Sequence, residues 1–137
     1  IMLERLHELA ARRASFAFET TLASRTYAPW IRELRDAGYR FELCFMWLPS
    51  PGMAIQRVQQ RVRTGGHNVD RSTVIRRYAG GLKNFFLLYR PIADYWRVYD
   101  SSRDAVPSLI AEGRLAGQTR INEPAIWEAI TREYDHA

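Results

Sequence analysis

The ten residues Tyr39–Leu48, YRFELCFMWL, constrain this chain more than any other segment. Phe41, Leu43, Phe45 and Trp47 alternate on one face with the two-residue period of a β-strand, and the run turns wholly apolar toward its end. An apolar strand end is the mark of a central strand covered on both faces. Pro49-Ser50-Pro51-Gly52 follows at once. Prolines cannot continue a sheet ladder, and Pro51 suits the first turn of a helix, so the spacing predicts strand, turn, helix. A strand that feeds into a helix is the unit from which α/β folds are built.

The remaining segments extend that pattern. Met2, Leu3, Leu6, Leu9 and Ala10 recur at helical spacing, opposite Glu4, Arg5, Glu8, Arg12 and Arg13. No capping residue precedes Met2, which creates the expectation of missing upstream sequence. Ser15–Thr21 reads as a short buried strand, and Tyr27–Ala37 as a helix stopped by Gly38. A helix from Pro51 to about Arg63 stops at Gly65-Gly66. A further helix, capped by Asp70 or Ser72, runs to about Tyr89, where Pro91 limits it. Gly80-Gly81 inside it cost about 1 kcal/mol each relative to alanine. Tyr95–Ser102 and Ser108–Gly113 read as strands, and Pro124 opens a last helix. The expectation is one α/β domain over residues 1–137, with a mostly parallel sheet and flanking helices. Ligands of such sheets bind beyond the carboxyl ends of strands, here Glu19–Thr21, Pro49–Gly52 and Asp100–Ser102.

A chain of 137 residues buries a core without disulfides or metal. Its single cysteine, Cys44, excludes an internal bridge and a Cys-based zinc site. The longest apolar run, Leu43–Pro49, is far too short to cross a bilayer, so no membrane and a reducing cytoplasm are expected. Twenty basic against fifteen acidic residues give a formal charge of +5, and Lys83 is the single lysine. Arginine's planar fork grips phosphate oxygens in pairs, so this surplus points to phosphate-bearing partners. Nucleic acid is the weaker expectation, because no helix-turn-helix spacing and no aromatic-interleaved basic face appear.

Three polar groups bear on chemistry. Glu19-Thr20-Thr21, with Ser24 and Arg25 behind them, suit a sugar or hydroxyl substrate; the plainer alternative has Thr21 or Ser24 capping the next helix and Glu19 solvated. Arg57 and Arg61, four apart on one helix face, lead through Gly65-Gly66 and His67 to Arg76-Arg77. Two arginine-lined helices about a glycine hinge have the form of a lid over polyphosphate, against the alternative of a solvated basic helix pair with a glycine C-cap. Asp100-Ser101-Ser102 either contacts a nucleotide base or only turns the chain. Asn84, in an apolar helical stretch, reads as a structural hydrogen-bonder. No G-x-x-x-x-G-K-[ST] occurs, and His7, His67 and His136 lack metal-ligand spacing, so no metal site is predicted.

FAFETTLASRTY, GYRFELCFMWLPSP, RVQQRVRTGGHNV, IRRYAGGLKNFFLLY and WRVYDSS, in this order and spacing, resemble the zeta-toxin-like family of P-loop kinases from about Met2 to the IAEG segment. The resemblance implies a nucleoside-kinase-like sheet and ATP- and Mg²⁺-dependent phosphorylation of UDP-N-acetylglucosamine or a related hydroxyl acceptor. It further implies an antitoxin protein as partner. Glu19 and Thr21 match the family's acceptor-holding positions, and Arg61 matches a lid arginine. His67 or Arg77 falls near the second lid arginine. Asp100–Ser102 match the segment near the adenine, with Ser101 in place of the usual Asn. The family's phosphate loop and acidic base precede the point where this sequence starts. The expectation is therefore a domain incomplete at its N-terminus, catalytically incomplete and prone to homo-oligomerise through an uncovered sheet edge. A non-catalytic phosphate-binding remnant or an arginine-rich interaction module is the alternative.

Overall fold

The computed structural model describes residues 2–103, 106–132 and 134; His136 lies outside them. The chain runs through α1 (Met2–Ala11), α2 (Tyr27–Asp36), β1 (Glu42–Trp47), α3 (Pro51–Arg63) and α4 (Arg71–Asn84). A π-helical turn (Phe85–Tyr89) and a 3-10 turn (Arg90–Ile92) then lead to β2 (Tyr95–Asp100), β3 (Ser108–Arg114), β4 (Thr119–Ile121) and α5 (Pro124–Thr131). No described helix is long and apolar enough to cross a membrane.

The strands form one sheet in the order β1-β2-β3-β4. β1 and β2 are parallel, from Glu42 opposite Tyr95 to Trp47 opposite Asp100. The other two pairs are antiparallel, so the sheet is mixed and the mostly parallel expectation holds for one pair. Connection length explains the difference. α3 and α4 supply a crossover long enough to return the chain to the same end, whereas the short segment between β2 and β3 can only reverse it. β4 escapes sequence reading because its three residues are all exposed and show no alternation.

Two strand expectations are corrected. β1 is an edge strand among the described residues, not a central one covered on both faces. Leu43 is buried and Phe45 and Trp47 are half-buried, but Glu42, Cys44 and Met46 are exposed, Met46 at 47%. Ser15–Thr21 is not a strand at all. Its alternation is real, with Phe16 and Phe18 half-buried between exposed neighbours, yet it packs on a helix. Both rings lie against Trp30 of α2, at 6.0 and 6.4 Å between centroids. A two-residue period reports one-sided burial, and a helix surface supplies that as well as a sheet does.

The core lies between the sheet and the helices. The π turn directs Phe85, Phe86 and Tyr89 inward, against Trp96 and Val98 of β2. A register shift between Val98 and Tyr99 leaves Ile110 unpaired in β3, a bulge that buries both Ile110 and Ala111. α5 docks by stacking Trp127 on Trp96, centroids 5.5 Å apart. The Arg90 guanidinium rests over Phe86, Trp96 and Trp127 at 5.0, 5.4 and 6.0 Å.

At the amino ends of β1 and β2, Asp94 joins three elements. Arg35 of α2 donates to it through Nε at 3.0 Å and Nη2 at 2.8 Å, and the Phe41 amide donates at 2.8 Å. The Arg35 hydrogen bonds hold the Asp94 carboxyl below its ordinary value of 3.8; partial desolvation opposes them and the Phe41 amide adds to them. A depressed carboxyl stabilises the fold fully above its unfolded value, and that contribution disappears as pH falls through the folded one. Arg35→Met should therefore cost about 1–2 kcal/mol near neutral pH, the low end for a charged hydrogen bond because the pair is partly exposed. Urea unfolding of both proteins should show this gap narrowing as pH drops below the ordinary carboxyl range, and a gap constant with pH would count against the assignment.

Candidate functional site

The residues from Glu19 to Arg25 form a loop bolted to α4. Asn84, buried at the end of that helix, donates through Nδ2 to the carbonyls of Leu22 at 2.7 Å and Ala23 at 3.1 Å. The Tyr89 hydroxyl donates to the Ser24 carbonyl. Leu22 is buried in the left-handed region at φ 61°, a conformation that a branched-chain residue rarely adopts and that its surroundings must impose. Gly81 is where the loop comes closest: any Cβ there would collide with the Thr21 carbonyl. This close approach accounts for a glycine in mid-helix, which helix propensity alone opposes.

The loop presents its polar side chains outward. Glu19, Thr20, Thr21 and Arg25 are all exposed. The Thr20 and Thr21 hydroxyl oxygens accept from the amides of Leu22 at 3.3 Å and Ala23 at 3.4 Å, which leaves their O–H groups available as donors. Ser24 likewise accepts from the Thr26 amide, and Thr26 occupies the N-cap position of α2 without a capping bond of its own. Neither Thr21 nor Ser24 is the cap that the plainer reading required. The loop follows no strand, so its display depends on α4 rather than on a sheet end.

α3 and α4 pack against each other as a helical hairpin. Ser50 caps α3 by accepting from the Met53 amide at 3.2 Å. At the other end Gly65, at φ +98°, donates to the Val62 carbonyl and Gly66 to the Arg61 carbonyl at 2.6 Å. This paired bonding closes the helix and satisfies its last carbonyls, so the glycine pair is a built C-cap. Tyr78 ties α4 to the end of β1 by donating to the Leu48 carbonyl at 2.7 Å.

The arginines divide into two groups rather than converging on one face. Arg57 reaches the Ser101 carbonyl at 2.6 Å. Arg61, one turn on and exposed, shares that side of α3 and so faces the loop after β2. Arg77 is exposed four residues before Gly81, on the side of α4 that meets the Glu19–Arg25 loop. His67 is exposed beyond the cap. Asp100 is buried, and its Oδ1 accepts from the Ser102 amide at 2.9 Å and from the Ser102 hydroxyl. Ser101 donates from its amide and its hydroxyl to the Trp47 carbonyl. Ser101 thus ties the carboxyl ends of β1 and β2 together, while Asp100 shapes the turn that follows β2.

No group of three or more His, Cys, Asp or Glu among the described residues is arranged to hold a metal. Partial burial pushes the Cys44 thiol above its ordinary value, with Arg97 opposing, so the thiolate is disfavoured. Nothing in the local residue pattern directly signals left-handed Leu22 or the Gly81 contact. The readable signal was the glycine pair inside a helical pattern, which is costly without a close neighbour.

A family model described as Zeta toxin matches residues 2–106, a span that holds the loop, the hairpin and the parallel strand pair. No curated protein matches the chain, and no solved structure does.

The two glycines of α4 should respond oppositely to the same change. At Gly80 a Cβ would meet the Ala23 Cβ at 3.7 Å, an ordinary contact, so Gly80→Ala should stabilise by about 0.5–1 kcal/mol through helix propensity. Gly81→Ala should destabilise by about 1 kcal/mol or more, because the Thr21 backbone must move. Thermal unfolding of the two variants tests this, and equal shifts would remove the close approach as the reason for Gly81.

Proposed function

The chain belongs to the Zeta toxin family, and from that premise we propose that its residues form the acceptor- and lid-bearing part of an ATP-dependent small-molecule kinase. The acceptor is a hydroxyl of UDP-N-acetylglucosamine or a related sugar nucleotide. The mixed sheet flanked by helices is consistent with a P-loop kinase-like fold. The observation that carries the reading is the family match across the Glu19–Arg25 loop and the α3–α4 hairpin. In this reading Glu19 accepts from a substrate hydroxyl, the free O–H groups of Thr20 and Thr21 donate to it, and Arg25 meets a substrate phosphate. A loop held in one conformation orients an acceptor at little entropic cost, and positioning supplies much of the acceleration in phosphoryl transfer.

Among the described residues, exposed Arg61 and Arg77 suit the oxygens of a polyphosphate. Bound ATP supplies the transferred phosphoryl group; these side chains bind and neutralise it. Mg²⁺ would enter with the nucleotide, whose phosphate oxygens supply part of its coordination. His67 stays a candidate contact at the hairpin tip, and Asp100 and Ser101 support the site through the backbone near Arg57. An antitoxin partner, self-association and a cytoplasmic setting belong to the same proposal.

A second reading, binding without transfer, is favoured for these 137 residues by the missing G-x-x-x-x-G-K-[ST] and by a single lysine that lies exposed on α4. The expected outcome is no ATP-dependent phosphorylation of UDP-N-acetylglucosamine by the 137-residue chain, but weak ATP binding that falls with salt. Arg61→Ala should weaken ATP roughly five-fold in calorimetric titration at low salt. Robust phosphorylation would discard the binding-only reading. Equal, salt-insensitive ATP affinity in wild type and variant would discard the lid role of Arg61.

A further inference from the structure

A cleft of about 480 Å³ opens beside the carboxyl end of β1, apart from the Glu19–Arg25 loop. Trp47, Tyr78, Leu82, Ala129, Arg132 and Tyr134 line it. Its volume is in the range of small-molecule sites, and its place at a parallel strand's carboxyl end is where α/β sheets bind ligands. α5 with Arg132 and Tyr134 forms one wall, and these residues lie outside the span that matches the family.

The walls are held by contacts independent of any ligand. The Tyr78 hydroxyl is engaged by the Leu48 carbonyl at 2.7 Å. Tyr134 is stacked on Phe86, centroids 5.7 Å apart and planes 11° from parallel. α5 is fixed by Trp127 on Trp96. Three large aromatic side chains therefore border a space that little rearrangement is needed to fill. Arg132 is the one charged side chain in the lining; it is exposed, and no described carboxylate pairs with it.

We propose that this cleft binds a ligand that joins a flat aromatic ring to an anionic group, the ring seated among Trp47, Tyr78 and Tyr134 and the anion on Arg132. Ring stacking and cation-to-anion pairing are the two recognitions that this lining offers. The proposal does not depend on phosphoryl transfer or on Arg61. Two sources share the chemistry, nucleotides and aromatic carboxylates. Adenosine monophosphate and phenylpyruvate serve as the probes.

The test is calorimetric titration of both probes into wild type, Arg132→Gln, Ala129→Trp and Arg61→Ala. Ala129 lines the cleft and is exposed, so a tryptophan there is directed at the cleft rather than at the buried core. At least one probe should bind wild type saturably, and which one binds identifies the source. Arg132→Gln should weaken that probe at least five-fold, and Ala129→Trp should abolish it with the far-ultraviolet dichroism unchanged. Arg61→Ala should leave it intact, which separates this cleft from the lid. No saturable binding of either probe, or binding indifferent to both cleft variants, overturns the proposal.

Discussion

The carboxylate of Asp94 sets the geometry on which the rest of the sheet depends. It takes two hydrogen bonds from Arg35 and one from the Phe41 amide, while its own amide donates to the Phe41 carbonyl at 2.9 Å. β1 and β2 are separated by the whole α3–α4 excursion, and the entropy of closing so long a loop opposes their pairing. A charged, forked contact at the start of both strands offsets that cost and fixes the register at the same point. Register then propagates. Glu42 opposite Tyr95 obliges Trp47 to sit opposite Asp100, which brings Ser101 to the Trp47 carbonyl and gives Arg57 its acceptor. A polar tie at one end of the sheet thereby determines what is assembled at the other.

α4 is the second organising element, because successive positions along it engage different parts of the molecule. Tyr78 holds the end of β1, Gly81 admits the Thr21 backbone, Asn84 fixes Leu22 and Ala23, and the π turn that follows enters the core. Left-handed Leu22 persists because several bonds over-determine it; a single contact would not hold a residue whose Cβ resists that conformation. The outcome is a fixed backbone under the exposed side chains Glu19, Thr20, Thr21 and Arg25.

Local sequence made most elements legible, and pairing was what it did not encode. The helix over Pro51–Arg63 and its glycine stop follow from periodicity and turn chemistry and stand where those signals put them, and the strand expected over Tyr95–Ser102 is present as Tyr95–Asp100, its last two residues turning the chain. Periodicity reports which side chains are buried and is silent on what buries them. Phe16 and Phe18 alternate like a strand and pack on α2. Cys44 and Met46 are apolar yet exposed on an edge strand. The direction of β3 follows from the length of its connection and not from its own residues. At the candidate site the residue types were readable, and Asn84, read as a structural hydrogen-bonder, is one, donating to the Leu22 and Ala23 carbonyls. The grouping of the arginines was not readable, because it depends on a carbonyl forty-four positions away.

Charge counted along the sequence overstates charge available for binding. Arg35 is committed to Asp94, Arg57 to the Ser101 carbonyl, and Arg97 to the face of Tyr95 at 4.8 Å. Arg90 is enclosed by aromatic rings. Each cation so engaged has already exchanged part of its hydration for protein contacts, and a ligand must displace those contacts to use it. Arg61, Arg63, Arg76 and Arg77 differ: all are exposed on the α3–α4 hairpin, and no described carboxylate pairs with them. Arg61 stands on the side of α3 toward the loop after β2 and Arg77 on the side of α4 toward the Glu19–Arg25 loop, so these cations keep their charge free for a ligand on two sides of the hairpin. The exposed arginines of the hairpin, rather than the net charge of +5, are therefore what the proposed polyphosphate role rests on.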